Sequence, residues 1–233
     1  MRAIVPILLV LLTSFKVADS IDYKKEFGDD YKWAVTFLQQ HYNTIKRQAN
    51  EFHIPAKELI AIVFPELIRY NKVYDAIEIE SLKYLYISEG KKYADFSVGY
   101  FQMKPSFAEM VERDAARLPG KEFLVKSHFK ELGNMPDNEA NRKARVKRLT
   151  NLEQQVTYLC VFYKICEKKF AGKKFATTSD KLKMYATSFN AGYQRTYKDL
   201  LLFRSKKQFH TGKFFTSEKY NYADISRYYF ENE

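Results

Sequence analysis

The sequence predicts a mainly α-helical fold, on three observations. Apolar and aromatic side chains recur at helical spacing in several long stretches. Only 8 Gly and 6 Pro punctuate 233 residues, whereas a turn-rich all-β chain needs a breaker roughly every ten. Residues that favour helix N-termini also stand where the periodic stretches begin. With 46% hydrophobic and 16% aromatic residues, the chain has apolar mass for one substantial core, and disorder is not expected.

In chain order, Trp33, Phe37, Leu38, His41, Tyr42 and Ile45 form the first periodic run, and all but His41 are apolar or aromatic. After Ile54-Pro55 comes a second run, Leu59, Ile60, Ile62, Val63, Phe64, Leu67 and Ile68. It is apolar nearly all round, as expected for a helix in the middle of a core. Pro55 suits its first turn, where a missing N–H costs nothing. Tyr84-Leu85-Tyr86-Ile87 reads equally as a strand or part of a short helix, so a small β element is allowed in the middle of the chain. Ser106-Phe107-Ala108-Glu109 has capping-box spacing and predicts a helix to about Leu118. The charged stretch 137–147 is expected mostly at the surface. Thr150-Asn151-Leu152-Glu153 is a second capping box, opening a helix with Leu152, Val156, Leu159, Cys160, Tyr163 and Cys166 on one side. Ser179 or Asp180 would cap a helix running into Ser188-Phe189, and the aromatic tail 214–230 is expected to pack back on the domain.

The N-terminus reads as an export signal over residues 1–20. Arg2 is the positive region, Ala3–Leu12 the apolar one, and Ala18 and Ser20 are the small residues before a cut after Ser20. The apolar run is about half of the roughly 20 residues that a membrane span requires, so a cleaved signal is favoured over the rival reading, an uncleaved membrane anchor. Residues 21–233 then form one domain, exported to a periplasm or the outside medium, with no stable membrane span. The net charge of +11 points either to an anionic partner or to no more than a solvated basic surface. Export argues against nucleic acid, and the basic residues are scattered rather than gathered into an arm. Cys160 and Cys166, six apart in one helix, lie about 9 Å apart along the axis and roughly 240° around it. A disulfide needs Cα atoms within about 7 Å, so both are expected as buried free thiols. No metal or organic cofactor is indicated.

Three segments carry polar groups suited to chemistry. Glu66 lies within Ala61-Ile62-Val63-Phe64-Pro65-Glu66-Leu67, where apolar neighbours raise the pKa of a carboxyl and suit it to act as a general acid. The structural alternative is a buried Glu satisfied by Arg69 or a backbone donor. Pro65 either kinks the helix and turns Glu66 into a cleft, or ends it. In Gly99-Tyr100-Phe101-Gln102-Met103-Lys104-Pro105, Gly99 permits close approach to a ligand. Gln102 offers a donor and an acceptor, and Tyr100 and Phe101 offer flat faces for sugar rings, although aromatics beside a turn are more often core. In Ser188-Phe189-Asn190-Ala191-Gly192-Tyr193, Asn190 serves either as a C-terminal cap or as a group that orients an acetamide or the catalytic carboxyl, with Tyr193 beside it.

In this order the three segments resemble the lytic transglycosylases related to the soluble bacterial enzyme, and the goose-type lysozymes. Those families show an apolar helix ending in Glu-Ser, a Gly-Leu-Met-Gln-x-x-Pro stretch and Ala-Tyr-Asn-Ala-Gly. The resemblance runs from about residue 50 to the end, where Tyr222-Ala223-Asp224-Ile225-Ser226-Arg227-Tyr228 is similar to the family's closing motif. It implies a lysozyme-like helical domain that binds peptidoglycan glycan strands and cuts between MurNAc and GlcNAc, with Glu66 as general acid and then base and a 1,6-anhydro product. It also implies substrate contacts from Gly99, Tyr100, Phe101, Gln102, Asn190 and Tyr193. Leu67 replaces the usual Ser, and the distance from Glu66 to Gly99 is about twice the usual, implying an insertion around 70–95. Glu80-Ser81 within it has the literal Glu-Ser pair, but no apolar helix leads into it. Two alternatives stand beside this reading. One is an inverting hydrolase with Asp95 as second carboxylate, which needs a separation of about 6.5–9.5 Å, unless Asp95 simply caps the turn. The other is a non-catalytic glycan-binding module. Attack on chitin or on a competitor's wall would use the same motifs.

Overall fold

The computed structural model describes residues 21–73, 76–118, 129–211 and 218–233; the proposed export signal lies outside them. The fold is mainly α. Its helices in order are α1 Tyr23–Glu51, α2 Ala56–Val73, α3 Ala76–Glu89, α4 Pro105–Ala115, α5 Phe129–Leu132, α6 Glu139–Leu149, α7 Leu152–Lys169, α8 Thr178–Ala191, α9 Tyr197–Arg204 and α10 Tyr222–Asn232. Strands β1 Phe209–His210 and β2 Lys219–Tyr220 pair antiparallel, with Phe209 opposite Tyr220. Among the described residues no helix is long and apolar enough to cross a membrane.

Helix α2 is the axis of the domain. Every residue from Leu59 to Ile68 is buried, including Glu66 at 5% exposure. Helices α1, α8 and α10 pack around it, with α7 also in contact. Pro65 does not end α2, which runs on to Val73. The proline has no N–H for the Ala61 carbonyl. At the neighbouring Ile62 carbonyl, the Tyr222 hydroxyl donates a hydrogen bond of 3.1 Å from α10. Residues 214–217 of the aromatic tail lie outside the described residues; the described part, 218–230, packs back as expected, and its first helical residue fastens onto α2 beside Glu66.

Several local expectations change. Tyr84–Ile87 lies inside α3, and among the described residues in the middle of the chain only an isolated bridge, Val98 to Met103, has strand-like pairing. The paired strands stand near the C-terminus instead. Ser106 does not cap α4: Lys104 is the N-cap residue, without a side-chain bond, and Pro105 begins the helix. Asp95 caps it from the preceding loop, taking the Ser106 N–H at 3.0 Å and the Ser106 hydroxyl at 2.8 Å. Glu109 is drawn away from the capping role by the Tyr86 hydroxyl (2.9 Å) and the Lys91 ammonium (2.5 Å), and α4 stops at Ala115. Asn151 rather than Thr150 caps α7, and Thr177 rather than Ser179 or Asp180 caps α8. Asn151, one residue after Thr150, takes the Gln154 amide at 3.1 Å, and Thr177, two residues before Ser179, takes the Asp180 amide at 3.1 Å, each the N3 amide of its helix. Cys160 and Cys166 are buried free thiols, and burial pushes both pKa values up.

A second anchor lies between α3, α4, α6 and α7. Glu112, 1% exposed, accepts from Arg145 Nε and Nη2 at 2.9 and 2.7 Å, from Arg148 Nη2 at 3.0 Å and from the Tyr158 hydroxyl. Arg145 also donates to the Tyr86 hydroxyl at 2.7 Å. The charged stretch 137–147 lies mostly at the surface, as expected, with Arg145 buried in this network. Removing Glu112 strands two guanidinium groups, and loss of one member of a buried pair costs about 3–5 kcal/mol. Urea denaturation of Glu112→Gln should show a loss of about that size, while Glu109→Gln, whose carboxylate is less buried and pairs closely only with the half-exposed Lys91, should lose less.

Candidate functional site

The helix axis, the 98–103 hairpin and the end of α8 converge on one cleft of about 270 Å³. Glu66 and Arg69 enter from α2, Gln102 and Lys104 from the hairpin, and Asn190 and Gly192 from α8 and its end. Ser97, Ser106, Phe107, Met110 and Phe189 complete much of the wall. Segments spread over more than 120 positions of the sequence thus face a common space.

Glu66 is the chemical centre of this cleft. Burial pushes its pKa up to about 7, opposed by the Arg69 charge, the adjacent Tyr222 hydroxyl and the Lys104 charge. Arg69 Nη1 lies 3.9 Å from Glu66 Oε2, outside hydrogen-bonding range, and Oε2 has no hydrogen-bond partner although it is buried. Burial and the neighbouring carboxyl hold the Tyr222 hydroxyl far above its ordinary pKa, so it remains a donor. The environment therefore supports a neutral carboxylic acid near pH 7 with one oxygen unengaged.

The hairpin is set by a glycine. Val98 and Met103 exchange backbone bonds of 2.9 and 3.0 Å, and Gly99 turns the chain at φ +71. A Cβ there would collide with the Gln155 amide and the Leu149 carbonyl. Gln155, fully buried on α7, accepts the Phe101 N–H at 2.8 Å and fixes the loop. Gln102 adopts φ +49, unusual without glycine, and its Nε2 donates to the Gly99 carbonyl at 2.9 Å. Its amide oxygen is the end left to accept. Strained backbone of this kind is common where a side chain must be aimed at a ligand. Asn190 is exposed in the last turn of α8, while Gly192, at φ +95, ends that helix; the cap is therefore Gly192 and not Asn190.

Of the residues singled out in the sequence, Glu66, Gln102 and Asn190 line the cleft. Gly99 shapes the hairpin behind it. Tyr100 packs on Phe37 at 4.5 Å and Tyr70 at 5.0 Å, outside the lining. Phe101, 1% exposed, offers no face to a ligand, because its N–H is pulled towards Gln155 and its ring into the core. Tyr193 is also buried, donating to Asp114 at 3.0 Å on the far side of the 189–194 segment. Asp95 is held by Ser106 and, at 3.9 Å, by Lys104, and is not in the lining. Sequence reasoning missed Arg69 and Lys104 as cleft groups and Tyr222 as the buried neighbour of Glu66 behind the cleft. Arg69 was legible, since three residues beyond Glu66 on a helix is the same face; nothing local signalled Tyr222. Comparison with known proteins finds no match among family models, curated proteins or solved structures.

Two outcomes follow. Gly99→Ala should destabilise the fold and distort the Gln102 position, read as a lower urea midpoint and lost protection of the Phe101 amide in hydrogen exchange. The Glu66 carboxyl, raised to about 7 from about 4.5 in an unfolded chain, favours folding below pH 4.5 and loses that contribution as pH rises to 7. The loss is on the order of 3 kcal/mol. Glu66→Gln should therefore gain stability relative to wild type at pH 8 but not at pH 4.

Proposed function

We propose that this protein cleaves peptidoglycan glycan strands between MurNAc and GlcNAc by the lytic transglycosylase reaction, after export. One observation carries the reading: among the described residues, Glu66 is the only carboxylate lining the cleft, and it is buried with a pKa near 7. The sequence resemblance to lytic transglycosylases adds the substrate class. In the proposed reaction the Glu66 acid gives its proton to the glycosidic oxygen, and the C1–O bond breaks as GlcNAc leaves as an alcohol. The 2-acetamido group shares the positive charge left on the MurNAc ring. Glu66, now a carboxylate, takes the proton of the MurNAc 6-hydroxyl as O6 bonds to C1. The ring closes to the 1,6-anhydro sugar, and Glu66 is again an acid.

An inverting hydrolase needs a second carboxylate to activate water. Asp95, the candidate for that role, has both oxygens engaged by Ser106 at the start of α4, which favours the one-carboxyl route. Gln102 and Asn190 are suited to hold acetamido groups, having a donor and an acceptor each.

Mass spectrometry of muropeptides released by the mature protein should find products lighter than hydrolysis products by one water. Glu66→Gln should lower their yield by about 10²–10⁴-fold, the usual contribution of a general acid. The rate should fall as pH rises above about 7, because the proton to be donated is then lost. Ordinary reducing ends would move the reading to a hydrolase, and no products at all would leave a glycan-binding module.

A further inference from the structure

The charge balance of the cleft is not explained by glycan cleavage alone. Among the described residues, two cations, Arg69 and Lys104, face it, against the single carboxyl of Glu66. Neither is neutralised at close range. Arg69 reaches Glu66 only at 3.9 Å, and Lys104 reaches Asp95 only at 3.9 Å. Each would be a close ion pair if the fold used it for stability; the Lys181–Glu58 and Lys183–Asp224 pairs close to 2.7 Å. The Arg69 side chain is 33% exposed, and its planar head lies over the Phe209 ring at 5.9 Å. Its Nε is buried without a partner, and so is Oε2 of Glu66 one turn earlier. Two unpartnered polar groups on one helix face, opening on a cavity, mark a place shaped for a bound polar group rather than for internal pairing.

We infer that Arg69 and Lys104 form a carboxylate-recognition subsite, which selects glycan bearing an acid close to the scissile bond over neutral glycan. The inference rests on the proposed function for the glycan, and on the cleft for the anion. A guanidinium matches a carboxylate in plane and charge, and a lysine adds a second donor from the facing hairpin. On a glycan strand the acid is either the lactyl carboxylate of MurNAc or the carboxylate of a short peptide attached to it. Both sources present the same chemistry to the cations. A neutral N-acetylglucosamine polymer lacks it, so the subsite favours wall glycan over chitin.

Binding to the full chain carrying Glu66→Gln tests this without requiring cleavage. Titration calorimetry would compare a GlcNAc–MurNAc disaccharide with a free lactyl acid against its lactyl amide. A second arm compares the disaccharide bearing a dipeptide acid with its amide. One acid should bind about tenfold or more tightly than its amide, the scale of one charge-assisted pair. The arm showing the preference names the source. Adding Arg69→Gln or Lys104→Gln should abolish that preference; Lys104 is exposed, so its loss tests the idea without the risk of unfolding. Equal binding of acid and amide, no binding of either, or a preference that survives both substitutions would overturn the subsite. Cleavage without acid preference would leave the transglycosylase reading standing and this inference fallen. Acid preference without cleavage would do the reverse.

Discussion

A helix that is apolar on every side cannot lie at a surface, and the rest of this structure follows from covering α2. The ten residues Leu59–Ile68 remove their surface from water only if helices close over them from several directions. Helices α1, α8 and α10 do so, and α7 closes the remaining gap. The same burial creates the chemistry. A carboxyl carried on that helix loses its water along with its apolar neighbours, so a neutral acid at Glu66 follows from the core and needs no separate device. The cost is a stability that falls as pH rises, which the fold bears because the surrounding burial is extensive.

Burial alone would leave Glu66 sealed, so the cleft must be held open from the other side. That task falls to a frame built on α7. Gln155 pins the hairpin through Phe101, and Tyr158, one turn later, joins the Glu112 network that ties in α4, α6 and α3. Asp95 caps α4 and couples the loop before the hairpin to the helix after it. Gln102 and Lys104 therefore project from a loop braced at both ends. A buried network of this kind contributes less to net stability than its bond count suggests. Its effect here is to fix where a short loop stands relative to α2.

The helical class and the central position of α2 were legible because 3.6-residue periodicity and an all-apolar run state them locally. Glu66 was legible for the same reason, as one carboxyl inside that run, and Gln102 and Asn190 followed from segment order. What failed was the inference from residue type to exposure. Tyr100, Phe101 and Tyr193 look like sugar platforms as residue types, yet each is claimed by a partner distant in sequence: Phe37 for Tyr100, Gln155 for the Phe101 backbone, Asp114 for Tyr193. The capping boxes failed similarly. Glu109 had better partners in Tyr86 and Lys91, and Asp95 supplied the cap from another segment. Tyr222 had no local signal, since its role depends on a carbonyl 160 residues away.

The 3.9 Å between Arg69 and Glu66 is the distance on which the site turns. A hydrogen-bonded pair would hold Glu66 ionised and remove the acid, because an adjacent cation lowers a carboxyl pKa by stabilising its charged form. Without any cation, burial would raise it further, and the acid would give up its proton less readily. At this separation the two effects leave Glu66 with a pKa of about 7, balanced between acid and carboxylate at pH 7. An anion taken up by Arg69 and Lys104 shifts that balance in one direction only. It cancels the two charges that pull the Glu66 pKa down, so the occupied cleft holds the proton more firmly than the empty one. Glycan bearing an acid would then meet a protonated Glu66 over a wider pH range than neutral glycan, and recognition and acid catalysis would be linked through the same pair of cations.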